Sequence, residues 1–215
     1  MATRTLDPEA TRGAILEAAE TLFVDKGFSA VSMSDIAREA GVTKSLIHHH
    51  FGSKDDLWKA TKTRLMAEYF EAQAQMLENY GTIELLRDSI VAYFRFLQRN
   101  PRVMRMMAWL DIAGDPVMIE AGQRVSELGE ARLREGQRDG VLRADVEPGF
   151  MIDMFIGLVQ HWFRSRPPCS TESGSAEADD AYLQSLLTVF FEGVLTPTGR
   201  QEYAQLPVAG RSPFG

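Results

Sequence analysis

The chain has little that would mark a secreted protein, a membrane protein or an enzyme. Its 215 residues include a single cysteine, Cys169, which has no internal partner for a disulfide and so fits a reducing compartment. The apolar stretch from Phe150 to Phe163 is interrupted by Asp153 and is short for a membrane span, and the N-terminus lacks the apolar segment of a signal peptide. A cytoplasmic protein with no membrane partner is expected. Nothing reads as a strand, a repeat, a glycine-rich phosphate loop, a nucleophile elbow or a paired metal-ligand motif, so no catalytic residue, metal or cofactor is expected. Positive charge is scarce too. The net charge is −7, and residues 1 to 58 carry nine carboxylates against six cations. That balance disfavours nucleic acid unless the basic groups are gathered locally.

They are gathered in the stretch from Ser32 to Lys54, S-M-S-D-I-A-R-E-A-G-V-T-K-S-L-I-H-H-H-F-G-S-K, which has no carboxylate from Val42 onward. Ser32 suits an N-cap; Ile36, Ala37 and Ala40 recur at helical spacing; and Gly41 suits a sharp exit. Thr43 can cap a second helix. The pattern predicts a helix-turn-helix. Around that second helix, Lys44, Ser45, His48 and His49 share a polar arc, while Leu46, Ile47, His50 and Phe51 face the other way. Such an arc, with donors at its start, fits the acceptor-rich major groove and its phosphates. His48, His49 and His50 do not form a metal site, because neighbours on a helix point about 100° apart and the zinc-like i, i+4 spacing is absent. As groove residues they should make DNA affinity rise as pH falls toward about 6.

The block from Thr11 to Leu57, which contains this stretch, resembles the N-terminal DNA-binding domain of the TetR family of transcriptional regulators. The resemblance implies an all-α protein of about nine helices. A helix-turn-helix domain occupies residues 1–53, a helical effector-binding and dimerisation domain residues 54–196, and a tail residues 197–215. It further implies a homodimer on a palindromic operator of double-stranded DNA, acting as a ligand-responsive regulator and as a repressor. Thr43, Lys44, Ser45, His48 and His49 are expected to meet bases or nearby phosphates, and Ser32, Ser34, His50 and Lys54 to hold the backbone. A lysine at a helix start opposes the helix dipole, which favours a phosphate role for Lys54. The chain departs from the family in having His48 where tyrosine is usual, and His50 where it is frequent. Met1 to Asp7, with Arg4, reads as an arm, and Arg12 as a further phosphate contact.

The remainder follows helical periodicity from Lys54 to about Asn79, Thr82 to Arg99, Pro101 to Ile112, Val117 to about Arg138, Pro148 to Arg164 and Asp179 to Leu195. Pro167 to Ala178 reads as a flexible connector and Pro197 to Gly215 as a loose tail. Met66, Phe70, Tyr93, Phe96, Met104, Met107, Trp109 and Leu110 either line a cavity for a small hydrophobic effector or form ordinary core. Arg105, Asp111, Gln160 and His161 are the polar groups available to orient it. Met151, Met154, Phe155, Leu158 and Trp162, with Leu183, Leu187, Phe190, Phe191 and Val194, lie on two helices too apolar for a surface and are expected to pair with a second copy as a four-helix contact. Two alternatives stand beside the regulator: a helical interaction module without DNA binding, and a small-molecule-processing enzyme with a site assembled from scattered residues.

Overall fold

The computed structural model describes residues 7–114, 120–165 and 174–207. Among them are ten helices: α1 (Pro8–Lys26), α2 (Met33–Ala40), α3 (Lys44–Phe51), α4 (Lys54–Asn79), α5 (Thr82–Arg99), α6 (Pro101–Ala113), α7 (Glu120–Arg138), α8 (Pro148–Arg164), α9 (Gly174–Val194) and α10 (Pro197–Gln205). The all-α expectation holds. The arm around Arg4, residues 115–119, Cys169 and the end of the tail from residue 208 lie outside the described residues.

The chain divides into two compact units. One comprises Met1–Ala67 with Arg105–Ile119, the other Glu68–Met104 with Glu120–Gly215. The division therefore falls inside α4 rather than at residue 53, and it assigns most of α6 to the N-terminal unit. The cause is packing: Met106 and Leu110 of α6 and Leu57 and Trp58 of α4 share one buried cluster with Ile15, Ala19 and Phe23 of α1. Trp109 adds an indole N–H donated to the Val24 carbonyl at 3.0 Å. Its ring lies where a Cβ on Gly27 would sit, and Gly27 also has a positive φ of 78°. Glycine there lets α6 lie against the end of α1.

In the second unit α5 is the central element, with buried Ile83, Leu86, Ile90, Phe94 and Leu97. The structure differs from expectation in two places. Helix α9 begins at Gly174, so the expected connector is already helical where its end is described. The tail is also not loose, because α10 occupies its first part. Thr196 caps α10 by accepting from the Gly199 N–H, while its hydroxyl donates to the Gly140 carbonyl at 2.6 Å. Pro197 fits the first turn, and Tyr203 stacks on Phe191 at 4.4 Å. Beyond the helix, the buried Arg87 donates to the Pro207 carbonyl at 2.8 Å.

Candidate nucleic-acid interface

The helix-turn-helix is built from local hydrogen bonds that the sequence encodes directly. Ser32 and Asp35 form a reciprocal capping box at the start of α2, each side chain accepting from the other's backbone N–H at 3.1 Å. Gly41 takes the left-handed conformation, φ 66° and ψ 29°, and ends α2 in a tight turn. Thr43 then caps α3 by accepting from the Leu46 N–H at 3.3 Å. Ser53 and Asp56 repeat the capping box at the start of α4. The three caps fix where α2, α3 and α4 each begin.

Burial sets which face of α3 points out. Ile47 is fully buried and Phe51 nearly so, both in the cluster with Ile36 and Ala37. Lys44, Ser45, His48 and His49 are exposed and His50 is half-buried, as the helical arcs predict. The His48 Nδ1 lies 2.6 Å from the Gly52 carbonyl oxygen. The nearby cations and acids are partly engaged. Arg12 holds its guanidinium 5.0 Å from the Phe51 ring centre, and Lys54 its ammonium 4.1 Å from that of Phe28. Partial burial pulls the Lys54 pKa below its usual value. Asp35 is held down at about 2, chiefly by the Ser32 hydroxyl and then by the Ser32 backbone N–H and Arg38. Ser32 is therefore occupied: its hydroxyl donates to Asp35 Oδ2 at 2.6 Å, so its one proton is not free for a phosphate while the box is closed. Ser34 is exposed, and Thr43 keeps its own hydroxyl hydrogen to donate.

The residues expected to line an effector cavity fall in different units. Met66, Met107, Trp109 and Leu110 belong to the N-terminal unit, where Leu110 is core and Trp109 rests on α1. Phe70, Tyr93, Phe96 and Met104 belong to the second. There Tyr69 stacks on Phe96 at 5.4 Å and lies 5.1 Å from Tyr93. The Tyr93 hydroxyl accepts from Gln160 Nε2 at 2.8 Å, and burial pushes its pKa up to about 12. Close by in sequence, Ser89 donates to Gln73 Oε1 at 2.9 Å inside the core, and Gln73 Nε2 is buried without a partner. Gln73 and Ser89 escaped the sequence argument because a Gln and a Ser on amphipathic helices look solvent-facing.

The ten residues expected at a dimer contact also divide. Met151, Phe155, Leu183, Leu187, Phe190, Phe191 and Val194 are buried within the chain itself. Most of their surface is therefore covered inside the protomer, although Phe190 and Val194 also border the groove between α8 and α9. Trp162 is partly covered, stacked on Tyr182 at 4.0 Å and donating to Asp179. Met154 and Leu158 are each 44% exposed and line an apolar groove of about 800 Å³ between α8 and α9, together with Gly157, Val189 and Gly193. Val189, 73% exposed, was missed.

Residues 15–61 match the family model described as bacterial regulatory proteins, tetR family, and residues 86–190 match the tetracyclin repressor-like C-terminal domain. The chain belongs to the TetR family. Among its relatives, the HTH-type transcriptional activator FasR of Mycolicibacterium smegmatis is 32% identical over 106 residues, 49% of this chain and 48% of that protein. The HTH-type transcriptional regulator BetI of Rhizobium meliloti is 36% identical over 124 residues, 57% of this chain and 60% of that one. The chain thus spans about half the length of these curated relatives. A solved gamma-butyrolactone receptor has the same fold, with a TM-score of 0.65 at 23% identity over 92% of this chain and 94% of that one. Within the TetR family model, the matched segment 15–61 contains both α2 and α3. Among the described residues no helix is long and apolar enough to cross a membrane, and no cluster of potential metal ligands is present.

Proposed function

We propose that this TetR-family chain is a ligand-responsive transcriptional regulator that binds a palindromic operator as a homodimer in the cytoplasm. Its plainest effect is repression, by occupying promoter DNA. The observation that carries this reading is the arc of Lys44, Ser45, His48 and His49, exposed and free of carboxylates on a helix anchored by Ile47 and Phe51. Such an arc offers donors to base edges and phosphates, while the three caps fix its direction. The half-sites lie about one helical turn apart, or a multiple of it.

The dimer partner is a second copy seated on the α8 and α9 groove. Gly157 and Gly193 support this, since nothing lies within 4 Å of where their Cβ atoms would be, so a facing helix can approach closely. The effector is small, uncharged and mostly apolar, held in the second unit near Tyr69, Tyr93 and Phe96. The unpartnered Gln73 amide is the group that an acceptor on such a ligand would satisfy. To release DNA, the effector must bind the non-binding form more tightly than the DNA-bound one.

The test is selection of genomic fragments by the purified protein, followed by sequencing. An enriched inverted repeat is the expected result. Absence of any enriched sequence would remove the regulator reading.

A further inference from the structure

His48 stands on the exposed arc of α3 with its protonation pattern set by the fold. Its Nδ1 is 2.6 Å from the Gly52 carbonyl oxygen. That oxygen can only accept, so Nδ1 must carry a hydrogen. Turning the ring over would place Cδ2 there instead, and a carbon–oxygen contact needs about 3.3 Å or more. The carbonyl is itself fixed. Gly52 adopts φ 78° and ψ −83°, a conformation that residues with side chains avoid, and its N–H donates back to the His48 carbonyl at 2.9 Å.

A neutral imidazole with its hydrogen on Nδ1 presents Nε2 as an acceptor. In the major groove the matching donors are the exocyclic amino groups, N4 of cytosine and N6 of adenine, whereas guanine and thymine offer acceptors there. We infer that His48 reads an exocyclic amino group, so that each operator half-site carries an adenine or a cytosine opposite it. This rests on the regulator reading above. Proton uptake at Nε2 would add charge but exchange the acceptor for a donor, so the selectivity belongs to the neutral ring.

Two measurements on the full chain test it. Long-range proton–nitrogen NMR of the histidine rings at about pH 8 should show a neutral His48 protonated at Nδ1. A ring protonated at Nε2, alone or together with Nδ1, would overturn the inference. The second measurement uses an operator selected from random-sequence DNA. In synthetic duplexes, each adenine is replaced in turn by purine and each cytosine by 2-pyrimidinone, which removes one amino group at a time. At one position per half-site the loss should weaken wild-type binding by about tenfold and leave His48→Phe unaffected. If wild type and His48→Phe respond alike at every amino group, His48 reads none and the inference alone falls. If selection recovers no sequence at all, the regulator reading falls and takes this inference with it.

Discussion

Substituting aspartate at Phe155 and, separately, at Leu158 distinguishes two kinds of apolar residue on the same helix. Phe155 is 4% exposed and meets Phe190 edge-on at 6.4 Å, so it supports the protomer. Losing that side chain costs about 3–5 kcal/mol, and an unpaired carboxylate in its place adds to the loss. Against a typical total stability of about 5–15 kcal/mol, Phe155→Asp should melt far below wild type or fail to fold. Leu158 is 44% exposed over the groove, so within one protomer Leu158→Asp should cost about 1 kcal/mol or less. In a two-fold dimer the change appears twice. Two unpartnered carboxylates buried in an apolar contact cost about 1–3 kcal/mol each, which raises the dimer dissociation constant at least about 30-fold. Circular-dichroism melting reads the first effect and sedimentation velocity across a concentration series the second. Leu158→Asp that remains as dimeric as wild type would refute the α8 and α9 contact. Phe155→Asp that melts like wild type would refute the burial argument.

Three further outcomes follow from the local geometry. Ser32→Ala removes the cap of α2 and should cost about 1 kcal/mol in a thermal melt. Because Ser32 is the main cause of the low Asp35 pKa, the stabilisation is present above the ordinary value of 3.8 and lost as pH falls through about 2. The variant should therefore show a shallower acid limb, and an unchanged limb would contradict the capping box. Gly199→Ala would drive a Cβ into the Val141 carbonyl oxygen, backbone that cannot swing aside, so α10 should loosen at about 1–3 kcal/mol, read by melting and by faster amide exchange in residues 197–205.

Much of the head was legible because its signals are local. Ser32, Gly41, Thr43 and Ser53 each act within four residues, and the arc positions of Lys44, Ile47, His48 and Phe51 follow from helical geometry alone. What escaped depends on distant partners. Nothing near Lys54 or Arg12 in the sequence announces the rings of Phe28 and Phe51 beneath them. Apolar spacing in α8 and α9 identifies residues that avoid water without telling whether their cover comes from the same chain or a second copy, which is why Phe155 and Leu158 read alike. The segment from Pro197 onward reads as a loose tail, yet Pro197 is the first residue of α10, because Thr196 before it supplies the cap.

The central claim is that the α3 arc meets DNA, and the most direct test is the salt dependence of operator affinity for wild type and Lys44→Ala. Each lost phosphate contact should reduce the slope of log affinity against log salt by about one, so the variant should bind more weakly with a slope smaller by about two per dimer. Equal affinity and equal slope in the two proteins would contradict the account.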